Sequence, residues 1–415
     1  MSKRIKILFV IDSLGGGGAE RVLANLVNGM DRKRFEPVIC LALGNRIDYR
    51  ISDDVAICRL APVHGKYIDK LITCIAGMFS RYCAVRFALR TDLFERRLLE
   101  DVFLQIAPYV VGLSHVVKQQ QPDIIMSFLF NSSMISSFYC QFFLKSTPLC
   151  LSDHNTLSRE ITRLYPSVAL PLTLAVIGRA DRYVSVSEGV KSDIINFTGF
   201  SEKRIETIWN GVDIKTINNE RYKPLALDLP AELHEKKYPI IVTVGRLTAQ
   251  KSQDVLLRAF QIVLRNIECR LIVVGEGEAY EDLMSLSNEL QLCNKVYFLG
   301  WRADLFSVVA KCDVFVLSSS YEACPMVLLE AMALGVPIVS TDCPHGPREA
   351  LSGGEYGVLV PHGDHEAFAD AIVNVIGNID RSRDIALKAH QFVQNFSVEK
   401  MVSKYESLFE GLVQR

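Results

Sequence analysis

The sequence predicts an α/β protein built from two doubly wound, Rossmann-like domains in tandem. Three observations carry that prediction. Short β-branched runs alternate with amphipathic helical segments along nearly all 415 residues, the pattern of parallel sheets covered by crossover helices. The alternation falls into two series, separated by a polar, strand-poor segment at Asp213–Lys237 that reads as a linker. The length suits two to three domains, each with its own core. With 49% hydrophobic residues and 46 Lys+Arg against 47 Asp+Glu, the chain is neither disordered nor collagenous nor a coiled coil.

In the first series Ile5–Ile11 (IKILFVI) reads as a buried strand, Gly15–Gly18 as a tight loop, and Ala19–Met30 as a helix. Val22, Leu23, Leu26, Val27 and Met30 recur on one face of that helix. Strands are expected at Pro37–Leu43, Asp123–Phe128, Pro148–Ser152 and Arg182–Val186. In the second series they are expected at Pro239–Val244, Arg270–Val274, Val296–Leu299, Val314–Leu317 and Pro337–Ser340. Helices at Asp254–Leu264, Tyr280–Leu290, Asp304–Ala310 and Pro325–Leu334 separate these strands. The expected domains are residues 1–206 and 207–395, with a C-terminal helix in 396–415 packing back on the first.

The formal charge of −1 hides a division. Residues 1–205 carry 26 basic and 19 acidic side chains, net +7, which leaves net −8 for the rest. No nucleic-acid partner is indicated. The 11 cysteines include no C-x-x-C pair, so neither a disulfide framework nor a zinc ribbon is expected, and a reduced, cytoplasmic setting fits. Polar and basic residues lead directly into Ile5–Ile11, unlike a signal peptide. The least charged stretch, Ile124–Leu144, is interrupted by serines, Asn131 and Gln141, so no membrane span is expected. Between residues 66 and 97, seven bases outnumber three acids while apolar residues recur at helical spacing. That pattern fits a basic amphipathic helix on an anionic membrane, or a core helix with a solvated basic face.

Four consecutive glycines, Gly15 to Gly18, stand where a strand turns into a helix. Main-chain N–H groups there can receive a phosphate; a tight turn without a ligand is the plainer alternative. A nicotinamide fingerprint fails in both registers, because Glu20 follows Gly15-x-Gly17 and Arg21 follows Gly16-x-Gly18 where glycine is required. In the second half, Gly245-Arg246-Leu247-Thr248-Ala249-Gln250-Lys251 leaves a parallel strand at the edge where ligands bind. The fork of Arg246 and the point charge of Lys251 together suit a diphosphate. Downstream, Glu322 and Glu330 are separated by seven residues. Pro325 suits the first position of the intervening helix and Gly335 its C-terminal cap, which places Glu322 before the helix and Glu330 on its second turn. Two carboxylates beside an Arg/Lys pair would grip sugar and ribose hydroxyls next to a diphosphate.

These motifs, G-R-L-x-x-x-K, then S-x-x-E-x-x-P-x-x-L-L-E-A-M-A-x-G-x-P, then Gly346-Pro347-Arg348-Glu349, resemble the retaining glycosyltransferases of family 4. The resemblance covers nearly the whole chain, most specifically Ile240–Leu351. It implies the GT-B fold, two Rossmann-like domains facing across a cleft. It also implies that Arg246 and Lys251 hold the donor diphosphate, that Glu330 binds the ribose, and that Glu322 contacts the transferred sugar. Ala323, Cys324, Pro325, Met326 and Val327 would supply the sugar-side backbone. His154, in Ser152-Asp153-His154-Asn155 after a strand, matches the family's active-site histidine. Gly16 and Gly17 would approach the donor phosphate or the acceptor, and Leu299 and Gly300 the nucleotide base. Where family members often carry Gly-Phe after the first glutamate, Ala323-Cys324 stand here, which leaves the transferred sugar open.

No Asp-x-Asp occurs, and His362-x-x-His365 is the only close histidine pair, so metal-independent transfer without a cofactor is expected, the nucleotide-sugar being a substrate. The implied activity is retaining transfer of a hexose or N-acetylhexosamine from a UDP-linked donor. The implied acceptor is a polyprenyl-diphosphate-linked or growing glycan at the inner face of the cell membrane. A UDP-sugar epimerase and a non-catalytic nucleotide-sugar-binding protein share the architecture.

Overall fold

The computed structural model describes residues 3–65, 93–143, 146–226 and 229–414. Residues 66–92, which hold most of the basic segment read above as a candidate membrane-surface helix, lie outside them. The chain divides into two compact units, Met1–Gly211 with Val398–Arg415, and Val212–Ser397.

The first unit is a seven-stranded parallel sheet of β1 (Ile5–Ile11), β2 (Phe35–Leu41), β3 (Ala56–Arg59), β4 (Ile124–Phe128), β5 (Leu149–Ser152), β6 (Arg182–Ser185) and β7 (Ile205–Thr207). The strand order is β3-β2-β1-β4-β5-β6-β7, so the chain moves outward through β2 and β3 and then returns to lay β4 on the other side of β1. The crossovers carry α1 (Gly18–Gly29), α2 (Leu93–Gln120), α3 (Phe130–Phe142), α4 (Leu157–Leu164), α5 (Ala169–Ile177) and α6 (Glu188–Thr198). The apolar stripe of α1 is buried as its spacing predicts, with Val22, Leu23, Leu26 and Val27 fully covered. Its cover includes the C-terminal helix Val398–Val413, whose Phe409 meets Phe9 of β1 edge to face at 5.9 Å. Glu406 on that helix accepts the Asp31 N–H at 2.7 Å and pairs with Arg34, which fixes the helix against the turn after α1.

The second unit opens with α7 (Ile214–Glu220) and α8 (Ala231–Glu235) and continues as a six-stranded parallel sheet. Its strands are β8 (Ile240–Val244), β9 (Arg270–Val274), β10 (Val296–Phe298), β11 (Val314–Leu317), β12 (Ile338–Thr341) and β13 (Val358–Val360), in the order β10-β9-β8-β11-β12-β13. Between them run α9 (Gln253–Val263), α10 (Tyr280–Glu289), α11 (Leu305–Ala310), α12 (Met326–Leu334) and α13 (Pro347–Ala350), followed by α14 (His365–Gly377) and α15 (Ile379–Phe392). Ile241, Leu271, Val273, Val314, Val316 and Val339 on the sheet pack with Leu256, Phe260, Phe368 and Ile372 into one apolar core.

Two differences from the sequence reading have a physical cause. The unexpected strands β3, β7 and β13 are all sheet edges of three or four residues, each only partly buried, so none produces the continuous apolar run of a central strand. The segment expected as a linker belongs to the second unit. Asp213 caps α7 by accepting the Thr216 N–H at 2.9 Å, Ile214 and Ile217 are buried, and Arg221 donates to the Leu334 carbonyl at the end of α12.

Candidate active site

In an open parallel sheet the strand order reverses at a switch point, where the loops leaving the two adjoining strands diverge and leave a crevice. In the second unit that point lies between β8 and β11. The loop after β8 holds Arg246 and then a short turn, Ala249–Lys251, before α9. The loop after β11 holds Ser318 to Pro325 before α12. The two loops are joined by hydrogen bonds: Ser318 Oγ donates to the Lys251 carbonyl at 2.8 Å, Ser320 N to the Gln250 carbonyl at 2.9 Å, and Gln250 Nε2 to the Tyr321 carbonyl at 3.0 Å.

This stitching brings Lys251 Nζ to 2.5 Å from Glu322 Oε1, and Ser319 Oγ donates to the same oxygen at 2.6 Å. The side chains of Lys251 and Glu322 are only 15% and 7% exposed, so their attraction is weakly screened. The Glu322 main chain is held on both sides, its N–H donating to the Pro344 carbonyl and its carbonyl accepting from His345 N, each at 2.8 Å. Gly346 follows with φ +86, and a Cβ there would stand 2.6 Å from Pro325 Cδ. Only glycine lets the Gly346-Pro347-Arg348-Glu349 segment approach the β11–α12 loop this closely.

The remaining second-unit candidates occupy the same sheet edge. Arg246 is exposed, and its carbonyl accepts Gln253 Nε2 at 2.9 Å. Leu299 and Gly300 follow β10; the Gly300 carbonyl accepts the Gly275 N–H at 2.9 Å, and Gly300 itself has φ +65. Pro325 is the N-cap of α12 rather than its first residue, and Gly335 closes the helix at φ +68. Ala323 and Met326 are buried, Cys324 and Val327 partly so. Glu330 is buried on the second turn of α12, where it lines a small cavity with Val244, Phe315 and Val327.

In the first unit the switch point lies between β1 and β4. Asp12, at the end of β1, accepts Ser132 Oγ at 2.6 Å, Ser132 N at 3.1 Å and Asn131 Nδ2 at 3.0 Å, tying the start of α3 to β1. Burial raises its pKa, against these three bonds. Asp153, after β5, accepts Tyr183 Oη at 2.7 Å and Ser133 Oγ at 3.3 Å. Burial pushes its carboxyl up to about 6, with Asp12 adding to the shift and the two hydroxyls opposing it.

His154 follows in the left-handed region at φ +56, its ring stacked on Phe128 with centroids 5.0 Å apart. Both ring nitrogens are buried with no hydrogen-bond partner in this geometry. Burial lowers its pKa to about 3, and the nearby Asn210 opposes that shift, so the imidazole is neutral at physiological pH. Gly16 has φ +67, and Gly17 caps α1 while its carbonyl accepts Tyr49 Oη at 2.8 Å. Asp12, Ser132 and Tyr183 are not among the residues read from sequence, and Asp153 and Ser319 enter there only as a neighbour of His154 and as the first residue of S-x-x-E, without a role. The available signal was their position, Asp12 and Asp153 being polar residues directly after buried parallel strands.

Among the described residues no helix is long and apolar enough to cross a membrane, and no group of three or more His, Cys, Asp or Glu side chains could hold a metal ion.

Comparison with known proteins accords with this fold. Residues 238–378 match the family described as Glycosyl transferases group 1, and residues 16–216 match Glycosyltransferase Family 4. A Campylobacter jejuni N-acetylgalactosamine-N,N'-diacetylbacillosaminyl-diphospho-undecaprenol 4-alpha-N-acetylgalactosaminyltransferase is 26% identical over 363 residues, 86% of each chain. The lipopolysaccharide 1,6-galactosyltransferase of Salmonella typhimurium is 27% identical over 73% of this chain and 83% of its own. Among solved structures, Anabaena HepE in complex with UDP-glucose superposes with a TM-score of 0.72 at 21% identity, covering 98% of this chain and all of that one. The two parallel-sheet units have the GT-B fold, and their class is that of glycosyltransferases. The chain belongs to glycosyltransferase family 4.

Proposed function

We propose that the protein is a retaining, metal-independent transferase that moves a hexose or N-acetylhexosamine from a UDP-linked donor to a lipid-linked or growing glycan acceptor in surface polysaccharide assembly. The observation that carries this reading is the convergence of Lys251 and Ser319 on Glu322 at the switch point of the second unit. A cation and a carboxylate held together there suit a substrate with a diphosphate at one end and sugar hydroxyls at the other. The Campylobacter and Salmonella relatives are named for an undecaprenol-linked acceptor and for lipopolysaccharide, which supports the acceptor class.

Arg246 and Lys251 take the negative charge that accumulates on the diphosphate as the bond to the sugar breaks, work done by preorganised cations. Glu330 holds the ribose hydroxyls, Glu322 with the Ala323–Val327 backbone holds the sugar, and Leu299 and Gly300 border the base. Gly16 and Gly17 offer main chain for close approach to the phosphate or acceptor. His154, as a neutral imidazole, contacts the sugar as positive charge develops on it. The nucleotide-sugar is consumed as a substrate, and no cofactor takes part. The basic character of residues 1–205 suits an anionic membrane surface at the cytoplasmic side.

The deciding experiment is ligand-observed NMR against UDP-, GDP- and ADP-sugars, followed by product analysis with the donor that binds. Transfer with retained anomeric configuration, undiminished by EDTA, is expected. An inverted product, or an isomerised donor without transfer, overturns the reading. Equal partition of the protein into neutral and anionic vesicles would remove the membrane part.

A further inference from the structure

The three serines before Tyr321 divide their work. Ser318 and Ser320 bond to the main chain of Gln250 and Lys251 and join one loop to the other. Ser319 faces differently. Its side chain is fully buried, its carbonyl accepts Thr341 Oγ1 at 2.6 Å from β12, and its hydroxyl donates to Glu322 Oε1. A hydroxyl has one proton, and here it is committed to the carboxylate. Oε1 therefore takes two donors of unlike kind: the ammonium of Lys251, on a flexible stem, and the hydroxyl of Ser319, on a short side chain anchored to the sheet.

An ammonium on a flexible stem constrains the orientation of a carboxylate less than a hydroxyl on a short side chain anchored to the sheet. In the proposed function the Lys251 ammonium must also answer to the donor phosphate. Ser319 is fully buried, and its main chain is tied to β12. We infer that Ser319 is a positioning residue that orients the Glu322 carboxylate toward the hydroxyls of the transferred sugar, and so helps determine which sugar is accepted. The inference rests on the proposed function, since it assigns Glu322 to the sugar rather than to a structural ion pair. It also separates two contributions to donor recognition: Arg246 and Lys251 for the diphosphate, Ser319 through Glu322 for the sugar.

The test uses the full chain and variants Ser319→Ala, Ser319→Thr, Ser318→Ala and Lys251→Ala. UDP affinity is measured alone, and UDP release with water as the acceptor of the sugar is measured from UDP-glucose, UDP-galactose, UDP-N-acetylglucosamine and UDP-N-acetylgalactosamine. For Ser319→Ala the expected result is UDP affinity within about twofold of the parent, kcat/KM for the preferred sugar lower by about tenfold, and a narrowed ratio between preferred and disfavoured sugars. Ser319→Thr, which keeps the hydroxyl, should recover most of that ratio. Ser318→Ala, which loosens only the loop joint, should leave the ratio where it was. An unchanged ratio in Ser319→Ala overturns the inference, as does a loss of UDP affinity equal to the loss of turnover, which would mean that the loop had collapsed. Lys251→Ala separates the two levels of failure. If it releases UDP at the parental rate, the assignment of the site itself fails; if it is inactive while Ser319→Ala matches the parent, only the role of Ser319 fails.

Discussion

The Lys251 ammonium and the Glu322 carboxylate, 71 residues apart in sequence, meet at 2.5 Å between the loops that leave β8 and β11. Neither loop makes this pair alone. It exists because β8 and β11 are neighbours in the sheet although two strands separate them along the chain. The consequence is a mostly buried charge pair at the position where the strand order reverses.

Removing either member should therefore affect stability and turnover together, and a double variant should separate them. Lys251→Ala and Glu322→Gln are each expected to lower turnover by about a hundredfold. Lys251→Ala should also cost up to about 3 kcal/mol, because it strands a buried carboxylate. Lys251→Met combined with Glu322→Gln should regain most of that stability in urea titrations and none of the turnover. Full activity in the double variant would show that the pair is structural only.

Asp153 and His154 are adjacent and titrate in opposite senses. Burial raises Asp153 to about 6, so the folded state holds a proton there that the unfolded chain releases near pH 4, and stability from this group falls as pH rises from about 4 to 6. Burial lowers His154 to about 3, so the unfolded chain takes up the proton first, and stability from this group falls as pH drops below about 6.5. Asp153→Asn should gain about 3 kcal/mol relative to the parent between pH 4 and pH 7. His154→Gln should gain relative to the parent on acidification. Thermal unfolding at several pH values tests both, and parallel curves for parent and variants would contradict the assignments.

The neutral state of His154 has a direct spectroscopic consequence. Its ring nitrogens should show no protonation step between pH 5 and pH 8 in the folded protein. A midpoint near the ordinary value of 6.5 would mean that water reaches the ring freely.

Two glycines with positive φ should respond very differently to alanine. At Gly275 (φ +139) a Cβ would fall 1.9 Å from the Gly245 carbonyl oxygen, a backbone atom that cannot step aside, so Gly275→Ala should destabilise the second unit by about 3 kcal/mol or more. At Gly199 (φ +68), which ends α6, nothing lies within 4 Å, so Gly199→Ala should cost only about 1 kcal/mol. Urea denaturation compares the two directly.

Much of the fold is legible in the sequence. The central strands announced themselves as continuous apolar runs, and the expected spans for β9 and β11 agree with those observed. Arg246 and Lys251 stand out as a pair in the loop that leaves a parallel strand, and Glu322 and Glu330 by the seven residues between them. The edge strands were silent because half-exposed segments of three or four residues have no distinctive period. Asp213–Lys237 looked like a linker because polar composition hides two buried isoleucines and a helix cap.

By itself the sequence determined the α/β class and the doubling of the architecture and marked the candidate residues of the second unit, because each is written in local pattern: periodicity, loop position, side-chain chemistry. Only the tertiary structure decided which of those residues touch. That Ser319 and Lys251 share one oxygen of Glu322, and that Asp153 is buried against Tyr183 and Ser133, depends on which strands become neighbours. Strand order is settled by the packing of whole sheets and crossovers, and no short stretch of sequence contains it.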